Sequence, residues 1–182
     1  MRSGPVRWTG RERGRTCFRW DCSVGRRIRR IVDMTTDNSP LITRVASRRD
    51  HPACAKIFYA ARKATFHWMP PAKIRFDDFE QATADEPIWV AERQRQIVGF
   101  VSWWPPENFI HNLFVAPGQQ RSGVGEKLLT ACLAQIGRPA RLKCNIANEA
   151  ALAFYEKLGW RRDSQSTSPE GLYWLMMLDA EK

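Results

Sequence analysis

The sequence predicts a mixed α/β (α+β) fold with about seven strands and four helices. Three observations carry that prediction. Apolar residues recur at strand spacing in some segments and at helical spacing in others. Glycine, proline and asparagine stand between those segments as breakers. The resulting order, β-α-α-β-β-β-α-β-α-β-β, is spread over 182 residues that are 43% hydrophobic, enough chain for one domain with a real core.

The elements follow in order. Ser39-Pro40 ends an arginine-rich stretch, and residues 41–46 read as the first strand. Asp50 and Pro52 mark a helix start, and Cys54, Ile57, Phe58 and Ala61 make its i, i+3, i+4, i+7 stripe. Pro70-Pro71 breaks the chain, and a short helix around residues 76–83 carries Asp77, Asp78 and Glu80 near its start. Residues 87–91 and 96–103 form a hairpin through Arg93-Gln94-Arg95, with Gly99 signalling a bulge or a close backbone approach. Residues 109–115 are a strand. Val124, Leu128, Leu129, Cys132, Leu133 and Ile136 then recur as one helical face, which Gly137 and Pro139 terminate. Residues 141–146 alternate as a half-covered strand. Asn148 caps a helix over 149–158, Gly159 stops it, and residues 160–163 and 172–178 are the last strands.

The net charge of +10 is unevenly placed. Residues 1–33 hold ten arginines against Glu12, Asp21 and Asp33, a net +7, which leaves +3 for residues 34–182. We expect residues 1–38 to be a basic, disordered extension, with Met34 as a candidate natural start, and residues 39–182 to be the domain. A nucleic-acid-binding arm and a targeting peptide are the other readings of the extension. The modest charge of the remainder argues against nucleic acid as the domain's own partner. No apolar stretch reaches the ~18 residues that span a bilayer, so no membrane role is expected. Cys17, Cys22, Cys54, Cys132 and Cys144 are scattered, odd in number and without zinc spacing. Neither a disulfide framework nor a metal site is indicated, and the last three read as buried small hydrophobes of a cytoplasmic protein.

The segment from 109 to 136 carries the chemistry. A strand, a loop with Gly123 and Gly125, and a helix N-terminus make an anion site. The glycines leave room, and the first N–H groups of the helix point outward with the positive end of its dipole. A Walker loop is excluded because Glu126 follows, and a dinucleotide fingerprint because Leu128 stands where its third glycine belongs.

Gln120, Gly123 and Gly125 match a Gln/Arg-x-x-Gly-x-Gly/Ala phosphate loop. Asn148, Ala151, Phe154, Tyr155 and Gly159 match a later signature, with Trp160 replacing its final phenylalanine. With these paired motifs, residues 41–180 resemble the GCN5-related N-acetyltransferase (GNAT) superfamily. The resemblance implies a mostly antiparallel sheet splayed between its fourth and fifth strands. It also implies acetyl-CoA as co-substrate without a metal, and direct acetyl transfer to an amine.

It further implies roles. The backbone of Val115, beyond Leu113 and Phe114, would pair with the pantetheine arm. The N–H of Leu113 would face the thioester oxygen and stabilise its charge. The pyrophosphate would lie on Gln120, Arg121, Ser122, Gly123, Val124 and Gly125. Asn148 would contact the arm, cap its helix, or both. Tyr155 is the candidate acid for the departing thiolate, with Phe154 taking the core position beside it. His111 is the candidate base, since an imidazole titrates near ~6.5. Alternation puts it beside Leu113 and Val115 unless a bulge intervenes. Glu107 and Glu92 are weaker candidates, and His51 lies outside the matched motifs. Phe66, His67, Trp68 and Met69, with Trp103 and Trp104, suggest an aromatic acceptor wall, and Asp77, Asp78 and Glu80 offer attraction for a cation. The expected acceptor is a small-molecule primary amine, with a protein N-terminus or lysine as the alternative. Homodimer formation is left open.

Overall fold

Among the described residues a single seven-stranded sheet runs in the order β1-β2-β3-β4-β5-β7-β6. The computed structural model describes residues 40–180, so the readings made for residues 1–38 lie outside the described residues. The strands are β1 (Ile42–Val45), β2 (Ile88–Arg93), β3 (Gln96–Trp104), β4 (Phe109–Val115), β5 (Ala140–Asn145), β6 (Arg161–Ser168) and β7 (Gly171–Leu178). The helices are α1 (His51–Thr65), α2 (Asp78–Ala82), α3 (Val124–Ile136) and α4 (Glu149–Lys157). Every strand pair is antiparallel except β4 with β5. That parallel pair holds only at Phe109↔Arg141 and Ile110↔Leu142, and beyond it the two strands separate.

The sheet has one core on each face. Cys54, Ile57 and Phe58 of α1 and Phe79 of α2 pack on Ile88, Val90 and Phe100, the stripe the sequence predicts for α1. Val124, Leu128, Leu129 and Cys132 of α3, with Leu152 and Tyr155 of α4, cover Val101, Ile110, Leu142 and Met176 on the opposite face. Gly99 meets both expectations made for it. An added Cβ would lie 2.9 Å from the Phe114 carbonyl oxygen and 3.0 Å from both Leu128 and Val124. The pairing also slips beside it, Ala91 facing Gly99 while Glu92 faces Ile97.

One element departs from the sequence reading. β6 continues to Ser168, well past 163, although nearly all of it is exposed and polar. Its ladder with β7 holds it, and a strand with no covered face carries no alternation to read. Asp50 precedes α1 as expected, but its carboxylate turns backward. It accepts from the Ser47 N–H at 2.7 Å and from Arg44 at 2.8 and 2.9 Å, tying α1 to β1. The Arg44 hydrogen bond holds the Asp50 carboxyl well below the usual carboxylate range, against the opposing effect of its burial.

Candidate active site

The separation of β4 from β5 leaves main chain open. The Ala116 N–H donates to Val98 O at 2.9 Å, so Ala116 and, two residues back, Phe114 direct their main chain at β3. Leu113 and Val115 therefore direct theirs at the gap, where no ladder to β5 exists. Side chains alternate as well: Phe114 packs with the α1 core, and Leu113 and Val115 pack with the α3 core.

The chain next passes a tight turn at Pro117–Gln119 and enters α3 at Gly123, whose φ of 80° only glycine adopts without cost. Arg121 is also left-handed, at φ 61°. The loop is braced from within. Ser122 Oγ donates to Gln119 O at 2.7 Å, and Arg93 Nη1 donates to Gln119 Oε1 at 2.8 Å. Sequence reading placed Arg93 in a hairpin turn and missed this brace, which spans 26 residues. Lys127 N–H bonds Gly123 O, so the N–H groups of Val124, Gly125 and Glu126 lack helical acceptors. The Val124 side chain is buried in the core and leaves only its main chain to the loop.

A groove of about 560 Å³ runs from this loop along the gap. Leu113, Phe114, Val115, Gln120, Arg121, Gly123, Gly125, Asn148 and Tyr155 line it. Ser122 does not, because its hydroxyl is turned into the brace. A Cβ on Gly125 would stand 3.5 Å from Phe154 and 3.7 Å from Val115, in contact with two groove-lining side chains. Asn148 Oδ1 accepts from the Ala151 N–H at 3.3 Å, which is the capping role. Phe154 and Tyr155 both line the groove and both pack on the α3 core, and Tyr155 is the more deeply buried because α4 turns its Leu152–Tyr155 face inward. Burial pushes the Tyr155 phenol above its ordinary value, with Cys144 as a lesser cause.

A second cavity, of about 320 Å³, opens on the α1 face. It shares Phe66, Leu113, Phe114, Asn148, Ala151 and Tyr155 with the groove, so the two meet at the gap. Phe58, Arg62 and Trp68 form its α1 side, His111 and Lys143 its floor, and Glu170 and Tyr173 its far side. Arg62, almost wholly buried, is fixed by Asp78 at 2.6 Å and lies 4.7 Å over the Phe58 ring.

His111 sits at a β-bulge: Ser102 faces Asn112 while Trp103 faces Ile110, which leaves His111 without an opposite residue. The bulge breaks the alternation that would place it with Leu113 and Val115, and its ring pairs with Glu86 instead. Sequence reading missed Glu86. Its side chain is 4% exposed, in the loop after α2. One carboxylate oxygen meets His111 Nδ1, and the other accepts from Ser102 Oγ at 2.5 Å. Ser102 in turn accepts from Asn112 Nδ2 at 2.9 Å, and Asn112 also bonds the Ala82 carbonyl. A carboxylate only accepts, so Nδ1 carries the proton and Nε2 of a neutral ring presents its lone pair. A lone acidic residue between α2 and β2 gives no local signal of this network.

Other candidates lie elsewhere. Glu92 is paired with Arg44 and lines neither cavity. Glu107, paired with Arg141 at 3.6 Å, borders a neighbouring depression that His111 and Lys143 also reach. His51 lies edge-on to Phe79, and the exposed His67 contacts Thr65 O. Trp103 is buried in the α3 core, Trp104 borders the neighbouring depression, and Met69 lines neither cavity. Asp77 is paired with Arg75, and Asp78 with Arg62. Cys54, Cys132 and Cys144 are buried as expected, which pushes their thiols up to about 12. Among the described residues, no group of three or more His, Cys, Asp and Glu side chains gathers as a metal site would, and no helix is long and apolar enough to cross a membrane.

This architecture is that of a known family. The model of the acetyltransferase (GNAT) domain family matches residues 65–178. Among solved structures, apo YjaB from Escherichia coli superposes with a TM-score of 0.67 at 21% identity, over 78% of this chain and 99% of that one. The PaiA N-acetyltransferase of Thermoplasma acidophilum, in complex with coenzyme A, gives 0.65 at 16% identity, over 77% and 99%. The ribosomal-protein-S18-alanine N-acetyltransferase of Escherichia coli gives 0.61 at 20% identity, over 76% and 93%. At these identities the likeness is one of fold. No curated protein matches the sequence.

Proposed function

The chain belongs to the acetyltransferase (GNAT) domain family, and from that premise we propose that it transfers the acetyl group of acetyl-CoA to the primary amine of a small molecule. One observation carries the proposal: an open-backbone groove and a side-chain cavity meet at Leu113, Phe114 and Tyr155. We assign the activity to residues 39–182.

The residues present fit acetyl-CoA. The groove has free main chain at Leu113 and Val115, a Cβ-free floor at Gly125, and helical N–H groups beyond Gly123 for the pyrophosphate. The bound co-substrate supplies a thioester. The N–H of Leu113, aimed at the gap, stabilises the negative charge that develops on the carbonyl oxygen. His111 Nε2 takes the proton of the incoming ammonium, directly or through one water, while Glu86 holds the ring and its tautomer. Tyr155, kept protonated by burial, donates to the departing thiolate. Cys144 lines the cavity, but its thiol is pushed up to about 12, so the wall offers no thiolate to carry the acetyl group. We assign direct attack by the amine.

The cavity volume of about 320 Å³ suits a small acceptor. The three unpaired buried thiols suit a reducing cytoplasm. The test is thiol release from acetyl-CoA against a panel of small amines and peptides. Turnover of small amines is expected. Turnover of peptides alone would assign a protein acceptor, and no turnover in a protein that binds CoA would leave a non-catalytic binder.

A further inference from the structure

We propose that the acceptor is an amine carrying a carboxylate, an amino acid rather than a polyamine or aminoglycoside, and that Lys143 binds that carboxylate. The proposal rests on the acetyl-transfer reading of the same cavity.

It follows from the charges on the cavity wall. Arg62 is satisfied by Asp78 at 2.6 Å, and Glu170 leans on the same guanidinium at 3.6 Å. His111 is held by Glu86, whose other oxygen is taken by Ser102. Lys143 is different. Its Nζ stands 5.1 Å from the centroid of the Tyr173 ring and 5.7 Å from that of Phe109. Among the described residues no carboxylate pairs with it. Glu107, across the neighbouring depression, is engaged by Arg141. Two rings thus flank an ammonium whose charge is left to the cavity and to the neighbouring depression that it also borders.

The same inventory excludes polycations. A polyamine needs carboxylates for its remaining ammonium groups, and of the acidic residues of the α2 region Glu80 lines neither cavity while the other two are paired. Asp77 is on Arg75 and Asp78 on Arg62. An uncompensated lysine would repel such a substrate. It would instead attract a carboxylate, and its charge disfavours the protonated form of the reacting amine, which must be neutral to attack. The aromatic side of the cavity, Phe58, Phe66 and Trp68, is left for an apolar side chain.

The experiment measures kcat/KM for amino acids with apolar, aromatic and polar side chains, each beside its amide. Wild type should prefer the free amino acid roughly tenfold or more, the scale of a charge-assisted contact. In Lys143→Met that ratio should fall to about one through a raised KM for the amino acid, and Lys143→Arg should keep most of it. Equal use of amino acid and amide by wild type would overturn the proposal. So would a Lys143→Met variant that loses both equally, or a preference for peptide N-termini. Calorimetry of N-acetylated amino acids and their amides on the CoA-saturated protein reads the site without turnover. Lys143-dependent binding there, with no acetyl transfer to any amine, would overturn the enzymatic reading and keep this one. Absence of binding by both classes would overturn this one.

Discussion

The groove proposed for the co-substrate and the cavity proposed for the acceptor share six lining residues, Tyr155 among them, and are otherwise built in opposite ways. The groove comes from one stretch, Leu113 to Tyr155 with Lys157, joined by Ala61, Thr65 and Phe66 at one wall, and it works through main-chain groups, two glycines and a helix end. The cavity gathers Phe58, Arg62, His111, Lys143, Glu170 and Tyr173 from α1, β4, β5 and the end of the chain, and it works through side chains. A main-chain device requires only that side chains stay away. A side-chain cavity changes with every neighbour, so on the proposed assignment the groove can stay constant while the cavity specifies the acceptor. Substitutions on the two sides should therefore fail differently, one in CoA binding and the other in amine KM and pH profile.

The largest effect is expected where the two regions join. Tyr155→Phe should lower kcat roughly 10–10³-fold with little change in acetyl-CoA binding, since only an interaction made during bond breaking is lost. Burial holds the phenol above its ordinary value of ~10, so it stays in the acid form and Tyr155 should contribute no basic limb below about pH 10. Wild-type kcat in Tyr155→Phe, with chemistry rate-limiting, would remove Tyr155 from the reaction and leave positioning alone.

On the groove side, Gly123 and Gly118 make a matched pair. A Cβ at either meets nothing within 4 Å, but only Gly123 has a positive φ. CoA at about 100 times its Kd should stabilise the wild-type protein by ~2.7 kcal/mol, read as a rise in Tm. Gly123→Val should fold and lose most of that rise, and Gly118→Val should keep it. An unchanged Kd in folded Gly123→Val would separate the loop from the pyrophosphate.

The legibility of the two regions in sequence follows the same division. The strand at 109–115, the Gly123 turn, the α3 stripe and the Asn148 cap are local patterns, and each stands where the sequence puts it. His111 was legible as a candidate, but its direction was not, because a bulge is a matter of register between two strands. Glu86, 25 residues from His111, and the Arg93 brace were not legible at all. Trp103 reads like Trp104 in sequence, yet one is core and the other rim, which only the pairing of β3 decides. Which of Phe154 and Tyr155 is more deeply buried was not legible, because both are aromatic and helix rotation, not composition, decides it.

On the cavity side, Glu86→Gln should cost roughly tenfold in kcat/KM and alter the acidic limb, because His111 loses the carboxylate that fixes its tautomer. His111→Ala should flatten that limb once the amine's own ionisation is subtracted. An acceptor amine of low pKa arrives neutral, so it should rescue both variants and leave Tyr155→Phe impaired. A Glu86→Gln protein that is merely less stable, with an unaltered pH profile, would make the Ser102–Glu86 network a packing feature.

The smallest effect tests the support of the cavity wall. Asp50 ties α1 to Arg44 and Ser47, and α1 carries Phe58 and Arg62. Asp50→Asn should destabilise the protein by about 1 kcal/mol at pH 7, a modest value because Arg44 is partly exposed and screened. The Asp50 carboxyl is held below its ordinary value of ~3.9, so its charge contributes fully above that pH and the contribution fades as pH falls toward the depressed value. Urea denaturation should therefore show the same gap between wild type and Asp50→Asn at pH 7 and pH 5, narrowing below about pH 4. A gap that does not narrow would assign the loss to the hydrogen bonds with Ser47 rather than to the ion pair. In the same variant CoA should raise Tm as in wild type, because the groove's main-chain contacts do not pass through Asp50. A CoA response that weakened with Asp50→Asn would mean that α1 supports both regions and that their separation is not energetic.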